Sequence, residues 1–363
     1  VLAAMRLVTS ITMSTLSRQI EPENEYRQMT EKPAWDALEK WYEVDENLAY
    51  FSFRDACALS PHPNYDNFES WSRKQSLTVN QLFAGLDSFH VEHIDMSVGS
   101  TWLGHEDEYS KVQSMSHKLS EFKFRKPQVL MAGGYLESRP FYTAEMFKKE
   151  GNSGWEYRTV HLGIDFWVEA RTQIFSVLDG VVLSIHNNAN DKDYGPTLII
   201  EHKTSDGLVF YSLYGHLSTE RLRLLKPGQT VKVGDPIADV GESSENGGWA
   251  PHLHFQIILD LLGNKTEFPG VAFPRQKNTW QSICPDPNLL FSEPELDKKM
   301  RGAAFDTLAF REEHLGKSLS LSYDMPLNIV RGVGVHLLDE EGQKYLDTVN
   351  NVAHVGHEHP RVV

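Results

Sequence analysis

Residues 250–257, "APHLHFQI", place two histidines one residue apart within a short apolar run. Because alternate side chains of a β-strand share a face, His252 and His254 would project together, while Leu253 and Phe255 would point the other way. Two neighbouring imidazoles are found in metal sites and also on the polar face of ordinary strands. The pair by itself leaves both interpretations open.

The stretch 160–168, "VHLGIDFWV", repeats this design with an imidazole and a carboxylate. His161, Gly163 and Asp165 share one face of a predicted strand. The opposite face is apolar and consists of Val160, Leu162, Ile164 and Phe166. Gly163 disfavours a helix and leaves room between the two polar side chains. With His254 there are three candidate ligands, and three protein ligands plus an open position form the usual catalytic zinc site.

A third stretch, "VFYSLYGHLS" at 209–218, adds another imidazole. In a continuous strand Ser212, Tyr214 and His216 would share one face. A histidine that stands near a metal without binding it can transfer protons or stabilise an oxyanion. Each of the three stretches alone has an ordinary explanation, such as surface polarity or a strand end. Their occurrence in one β-rich region favours a common metal site.

The elements that must position these motifs divide the chain into five parts. Its length of 363 residues suits two or three domains. Apolar residues at helical spacing predict helices over 1–75, and 76–150 form a mixed connecting segment. Short alternating segments bounded by turn residues predict an all-β unit over 151–275. Residues 276–315, with the polar stretch "DPNLLFSEPELDKKM", are interpreted as a linker, and 316–363 contain a predicted β-hairpin around a Glu-Glu-Gly turn.

The motifs "HLGID", "YGHLS" and "PHLHF" resemble the three signatures of the M23 (LytM/lysostaphin-type) zinc metallopeptidase domain. The resemblance covers roughly residues 155–265 and includes the strands between the motifs. It implies that His161, Asp165 and His254 are Zn²⁺ ligands and that His216 and His252 are catalytic residues outside the ligand set. It also implies an antiparallel β-sheet groove and a peptide or peptidoglycan-like substrate, since the family usually cleaves bacterial cell-wall peptides.

Three further features near the motifs bear on the substrate groove. Gln256 stands where many family members carry Glu, which leaves the zinc site intact but puts the substrate groove in question. Trp249 is either a wall of the groove or a loop residue packed for stability. The segment "GGYLESRPFY" is expected beside the groove, as pre-domain segments are in some relatives.

The flanking segments resemble other enzymes. Residues 316–363 resemble the opening of class III PLP-dependent aminotransferases, and they end before the family's Schiff-base lysine. Residues 1–75 resemble the helical C-terminal end of an aminoglycoside-phosphotransferase-like kinase. The expected fold class is therefore α+β multidomain, with a central antiparallel M23 sheet between a helical segment and a partial hairpin of a PLP-transferase fold. The chain is expected to be a fragment of a longer fusion, with PLP bound only in the complete parent protein.

Composition limits the classes of partner. Lys+Arg number 35 against 50 Asp+Glu, for a net charge of −15, which argues against nucleic acid or an anionic membrane as the main partner. Cys57 and Cys284 are too few for a disulfide framework or a Cys-based zinc site. The N-terminal stretch lacks the features of a signal peptide, so a cytoplasmic location is expected. The oligomeric state stays undetermined.

The sequence thus predicts zinc-dependent hydrolysis of an amide bond. A different function is also consistent with the fusion context: the domain would hold a metal as a non-peptidase or scaffold module between a kinase and an aminotransferase. Cleavage that depends on zinc would distinguish the two functions.

Overall fold

The computed structural model describes residues 2–142, 145–151, 154–297, 307–316, 326–348 and 356–357. The chain forms two compact units, Val1–Pro61 and His62–Val363. Among the described residues, none of the helices combines the length and apolarity needed to cross a bilayer.

The first unit is helical, as predicted. Its helices are α1 (Leu2–Ile20), α2 (Glu25–Gln28), α3 (Glu31–Tyr42) and α4 (Glu46–Ala56). The Asp45 carboxylate caps α4 by accepting the backbone N–H groups of Asn47 and Leu48, which satisfies donors that a helix start leaves free. Arg18 of α1 pairs with Glu31 at the start of α3 at 2.5 Å. These local signals explain why the helical prediction for this part is confirmed.

The second unit contains the predicted β-rich region and further helices. Its strands are β1 (His90–His93), β2 (Val129–Gly133), β3 (Lys148–Gly151), β4 (Gly154–Tyr157), β5 (Val160–His161), β6 (Ile164–Trp167), β7 (Gln173–Phe175), β8 (Gly180–Asn188), β9 (Gly195–Lys203), β10 (Val209–Gly215), β11 (Thr230–Val231), β12 (Pro236–Asp239), β13 (Leu253–Ile258), β14 (Val271–Ala272), β15 (Ile329–Val333), β16 (His336–Asp339) and β17 (Lys344–Leu346). Its helices are α5 (Tyr65–Ser72), α6 (Val79–Leu82), α7 (Glu106–Ser110), α8 (Val112–Arg125), α9 (Thr219–Leu222), α10 (Lys277–Ile283), α11 (Asn288–Phe291) and α12 (Thr307–His314), with short 3₁₀ turns at Glu145–Phe147 and Pro274–Gln276.

The main sheet has the strand order β1-β2-β6-β13-β10-β9-β8-β11. The expected antiparallel sheet is present, with two corrections. First, β1 and β2 come from the segment at 76–150, so the sheet extends beyond residues 151–275. Second, β1 and β2 pair in parallel, which the helices α7 and α8 between them allow because a parallel pair needs a long crossover.

One face of the sheet packs on a large apolar core. Phe166, Phe255 and Tyr214 lie on this face, and Phe68 of α5 and Phe83, just after α6, cover it. Ring pairs such as Phe83–Phe166, with centroids 5.6 Å apart, fix the helices to the strands. The opposite face therefore carries the polar side chains of the candidate site.

The predicted linker at 276–315 is wrong for its first part. Helices α10 and α11 are packed into the domain, with Ile283 and Leu290 fully buried, and Phe291 contacts the Phe255 ring at 5.7 Å between centroids. The stretch "DPNLLFSEPELDKKM" contains few apolar residues, but Leu290 and Phe291 among them are buried in the core. The other domain boundaries stay predictions.

The hairpin predicted near the C-terminus is confirmed. Strands β16 and β17 are joined by the turn Glu340-Glu341-Gly342, and β15 extends the pair to a small sheet. Arg331 of β15 donates to the backbone oxygens of Val98, Ser100 and Gly104, which ties this sheet to the preceding part of the unit. The rest of the region 316–363, including most of "GHEHP", lies outside the described residues.

Candidate metal centre

A single row of residues across the sheet places two of the candidate ligands side by side. Gly133 of β2 is paired with Asp165 of β6, Asp165 with His254 of β13, and His254 with Gly215 of β10. Directly opposed residues of antiparallel strands share a face with their Cβ atoms about 5 Å apart. A carboxylate and an imidazole therefore meet in the middle of the sheet, flanked on both sides by glycine.

His161 reaches this row from a different strand. The continuous strand predicted at 160–168 is divided into β5, which pairs with β14, and β6. Gly163 lies at the break between them. A Cβ at Gly163 would stand 2.7 Å from His254 Cε1, so a side chain there would displace the His254 ring. The glycine that the sequence placed between two polar residues makes room for a third.

The three candidate ligands converge on one point. His161 Nε2 lies 2.8 Å from His254 Nδ1 and 3.3 Å from Asp165 Oδ1, and Asp165 Oδ1 lies 3.1 Å from His254 Nδ1. Bonds of about 2.0 Å to a tetrahedral zinc place ligand atoms about 3.3 Å apart. The two distances to Asp165 Oδ1 are close to this spacing, and the two imidazole nitrogens lie closer together, at 2.8 Å. The three residues form the group of possible metal ligands found among the described residues.

Hydrogen bonds away from this point assign the tautomers of both imidazoles. His161 Nδ1 lies 2.9 Å from the Gly134 carbonyl oxygen, and His254 Nε2 lies 2.9 Å from Gln256 Oε1. Gln256 is itself oriented because its amide N–H groups face the Pro269 oxygen at 3.1 Å and Cys284 Sγ at 3.3 Å. Each histidine therefore donates outward, and its other nitrogen presents a lone pair to the centre.

Two of the candidate ligands, His161 and Asp165, have pKa values well below the ordinary ones. Burial, aided by Arg139, lowers the pKa of His161 to about 3. Burial alone would raise the pKa of Asp165, but His161 and Arg139 hold it well below its ordinary value. His161, Asp165 and His254 are each 2% exposed, so these side chains are buried although they point away from the apolar core. Side chains of the segment "GGYLESRPFY", among them Arg139 and Tyr142, line the site beside them.

His216 reaches the centre by a route that alternation does not predict. Tyr214 is paired with Phe255 and lies in the apolar core, so the predicted common face of Ser212, Tyr214 and His216 is wrong. His216 follows the last residue of β10 and has a left-handed backbone with φ of 61°. This rare conformation for a side-chain-bearing residue turns the imidazole from the core face to the site face.

His216 and His252 form a second pair beside the ligands. Their ring centroids are 4.2 Å apart, and His252 Nε2 lies 3.8 Å from Asp165 Oδ1. His216 Nδ1 faces the Asn246 carbonyl oxygen at 2.9 Å, and His252 Nδ1 faces that of Ala250 at 2.7 Å. Burial lowers the pKa of both rings. Both Nε2 atoms therefore remain available to accept a proton.

The site opens into a cavity of about 240 Å³ with aromatic walls. Trp249 contacts Phe141, Tyr142 and His216 with ring centroids 6.0 to 6.2 Å apart. Its indole N–H also donates to the Asp193 carbonyl oxygen at 3.1 Å. Trp249 thus has both roles left open by the sequence, since it lines the groove and stabilises the loop that bears it.

Two charged residues at the site were missed by reasoning from the motifs. Arg139 donates through Nη1 to Asp165 Oδ2 and through Nε to Glu137 Oε2, both at 2.6 Å. Burial disfavours the charged guanidinium, but Tyr142, Asp165 and Glu137 raise its pKa well above the ordinary value. Both residues belong to the segment "GGYLESRPFY", which is placed beside the groove as expected. The juxtaposition of Glu and Arg in that segment was the available signal.

Comparison with known proteins agrees with this geometry. The family described as "Peptidase family M23" matches residues 159–266. Residues 159–266, called the M23 domain below, are therefore similar to members of this peptidase family. The matched range includes all five histidine and aspartate residues of the candidate site and excludes Glu137 and Arg139.

Individual relatives cover smaller parts. An uncharacterized metalloprotease of Haemophilus influenzae is 34% identical over 100 residues, which are 28% of this chain and 19% of that protein. A zinc containing peptidase from Vibrio cholerae has a solved structure with 30% identity and a TM-score of 0.23, and the match covers 31% of this chain and 30% of that one.

A third relative is named as an aminotransferase and not as a peptidase. An alanine–glyoxylate aminotransferase 2-like protein of Drosophila melanogaster is 54% identical over 59 residues, which are 16% of this chain and 12% of that protein. The chain therefore spans less than a fifth of the length of both curated relatives described here.

Proposed function

We propose that the M23 domain is a zinc-dependent peptidase whose ligands are His161, Asp165 and His254. One observation carries this proposal: with their other nitrogens donating outward, two imidazoles point lone pairs at each other across 2.8 Å, and a carboxylate oxygen lies 3.1 and 3.3 Å from them. Three electron-rich atoms this close repel one another unless a cation lies among them. Zinc is suited to this donor set of two imidazole nitrogens and one carboxylate oxygen.

The side chains around the ligands support hydrolysis of an amide. A zinc ion held here would supply Lewis acidity, polarising a carbonyl and lowering the pKa of water. His216 and His252 each hold Nε2 free toward the cavity, because their Nδ1–H groups are engaged by backbone oxygens. We assign them to proton transfer, since each Nε2 can accept a proton. Once protonated, the same Nε2–H can donate a hydrogen bond to the developing oxyanion. Trp249 and Tyr142 limit access of bulk water to this point.

The substrate proposed is a peptide of the bacterial cell wall. The support is the resemblance of the motifs to lysostaphin-type domains and the presence of a cavity with aromatic walls beside the candidate ligands. We also propose that the parent protein continues into a class III aminotransferase with PLP bound there, which the short match with the Drosophila melanogaster protein supports.

The metal centre is tested by zinc stoichiometry. The wild type is expected to hold one zinc, and His161→Ala and His254→Ala are expected to lose it. His186→Ala, which removes an exposed imidazole of β8, is the matched control and should keep its zinc. Equal zinc in all four proteins, or none in any, would reject the ligand assignment.

The activity is tested separately with cell-wall fragments and Gly-rich peptides. Cleavage is expected, should stop on addition of a chelator and should return with zinc. A zinc-loaded wild type that cleaves neither substrate class would favour the alternative of a metal-holding scaffold.

A further inference from the structure

The side chain of Arg139 lies between two buried carboxylates. Its Nε donates to Glu137 and its Nη1 to Asp165, each at 2.6 Å, and the exposed fraction of these side chains is 1–3%. A buried guanidinium is unfavourable unless it is paired and hydrogen-bonded. A buried ion network therefore lies next to the proposed metal centre, and two of its members, Glu137 and Arg139, lie outside the matched range 159–266.

The network gives the two oxygens of Asp165 different tasks. Oδ2 accepts the hydrogen bond from Arg139. Oδ1 faces the two ligand imidazoles at 3.1 and 3.3 Å. Because Arg139 occupies Oδ2, only Oδ1 is directed at the point where the three donors converge.

Glu137 allows the guanidinium to do this without adding positive charge to the site. Its carboxylate neutralises Arg139, so the three side chains Glu137, Arg139 and Asp165 carry a net charge of −1. Glu137 is in turn fixed by the backbone N–H of Met96, which donates to Oε1 at 2.8 Å. An uncompensated arginine at this position would repel a divalent cation.

The local backbone is shaped to admit the guanidinium. A Cβ at Gly134 would stand 1.9 Å from Arg139 Nη2, and Gly134 has a φ of +101°. Nη2 is buried and makes no hydrogen bond with the described residues. A buried donor without a partner lowers the stability of the fold. The two carboxylate contacts of Arg139 therefore have to offset this cost and hold the side chain in place.

We propose that Arg139 is a positioning residue that, backed by Glu137, holds Asp165 as a one-oxygen ligand and thereby sets the affinity and coordination of the metal. The inference rests on the proposed zinc centre at His161, Asp165 and His254. It assigns a role in metal binding to two residues that precede the family domain.

Zinc affinity tests the inference directly. Competition with a chromophoric chelator is measured for the wild type, Arg139→Met, Arg139→Lys and Glu137→Gln. Loss of a hydrogen-bond partner of a ligand typically weakens metal binding about 10- to 100-fold, and this is expected for Arg139→Met. Arg139→Lys should recover part of the loss, because a lysine can still donate to Oδ2. Glu137→Gln should weaken binding because the arginine charge is no longer balanced.

Arg275→Met is the matched control. It removes an arginine that donates to the Glu156 carboxylate at 2.6 Å on the surface, away from the ligands, and zinc affinity should be unchanged. The visible spectrum of the Co²⁺-substituted proteins supplies a second readout. Release of Oδ2 lets Asp165 bind through both oxygens, so the Co²⁺ absorption of Arg139→Met should weaken, while that of Arg275→Met should match the wild type.

The possible failures are distinguishable. A wild type without zinc rejects the proposed centre itself. The positioning role alone is overturned if the wild type binds zinc but the variants do not differ from the control. In that case Arg139→Met, Arg139→Lys and Glu137→Gln all match Arg275→Met in zinc affinity and Co²⁺ spectrum. If Arg139→Met does not fold, as judged by circular dichroism, Arg139→Lys and Glu137→Gln decide the question by the same two measurements.

Discussion

Substituting Gly163 by alanine tests whether the ligand geometry depends on the space at the break between β5 and β6. The new Cβ would lie 2.7 Å from His254 Cε1, 2.7 Å from the Phe255 carbonyl oxygen and 2.8 Å from His254 Nε2, whereas ordinary van der Waals contact begins at 3.4 Å. The contacts therefore need a displacement of about 0.7 Å. One neighbour is backbone and the other is a ligand ring fixed by Gln256, so neither moves freely.

The expected effect has two parts. Overpacking of a well-packed interior typically costs about 1–3 kcal/mol in the free energy of unfolding, and this loss is expected for the chelator-treated protein in urea denaturation. Displacement of the His254 ring from Asp165 and His161 should also weaken zinc binding, by about 10-fold or more since a ligand itself is moved.

Gly85→Ala is the matched control for this experiment. A Cβ at Gly85 would meet its nearest neighbour, the Phe175 ring, at an ordinary 3.7 Å. Alanine at such a compatible site commonly stabilises by about 0.4–1 kcal/mol through the unfolded state. If Gly163→Ala matched Gly85→Ala in both unfolding free energy and zinc affinity, the close packing of His254 on Gly163 would be refuted.

Three further predictions concern the ionisation and the partners of the site histidines. Burial holds the pKa of His161, His216 and His252 below the ordinary 6.5, so on acidification protons bind these residues in the unfolded chain first. The free energy of unfolding of the chelator-treated protein should therefore fall as the pH drops below 6.5, by at most about 1.4 kcal/mol per pH unit for each histidine. A free energy of unfolding from urea denaturation that stays constant between pH 7 and 4 would contradict this. Gln256→Leu leaves the Nε2–H of His254 without its acceptor and should weaken zinc binding about 10- to 100-fold in chelator competition, and unchanged affinity would show that Gln256 does not orient the ligand. His252→Gln should keep one bound zinc but lower the rate of peptide cleavage about 10²- to 10⁴-fold, and loss of the zinc would instead place His252 among the ligands.

Much of the candidate site was predictable because strand alternation and residue type are local properties. As alternation predicts, His254 and Asp165 point to the site, while their neighbours Phe255 and Phe166 point to the apolar core. The helices of the first unit and the hairpin at Glu340–Gly342 follow from equally local signals. The resemblance of three motifs to one family then joined strands that are distant in the sequence.

The prediction failed where position depends on the neighbours. His216 leaves the alternation through a single left-handed residue, which no strand pattern encodes. Helices α10 and α11 lie in a segment whose sequence predicts a linker because it has few apolar residues. Those residues are buried only through their contacts with the rest of the domain, which the local sequence does not show. The parallel pairing of β1 and β2 likewise depends on the packing of α7 and α8.

The sequence by itself determined which atoms can bind a metal: His161, Asp165 and His254 have the right donor types on strands with an apolar back. Only the tertiary structure decided how these atoms are used. Strand register placed Asp165 opposite His254. Hydrogen bonds from distant segments fixed the tautomers of the two histidines and paired one oxygen of Asp165 with Arg139. The physical reason is that donor chemistry belongs to single residues, whereas orientation, charge balance and exclusion of water arise from contacts between residues far apart in the chain.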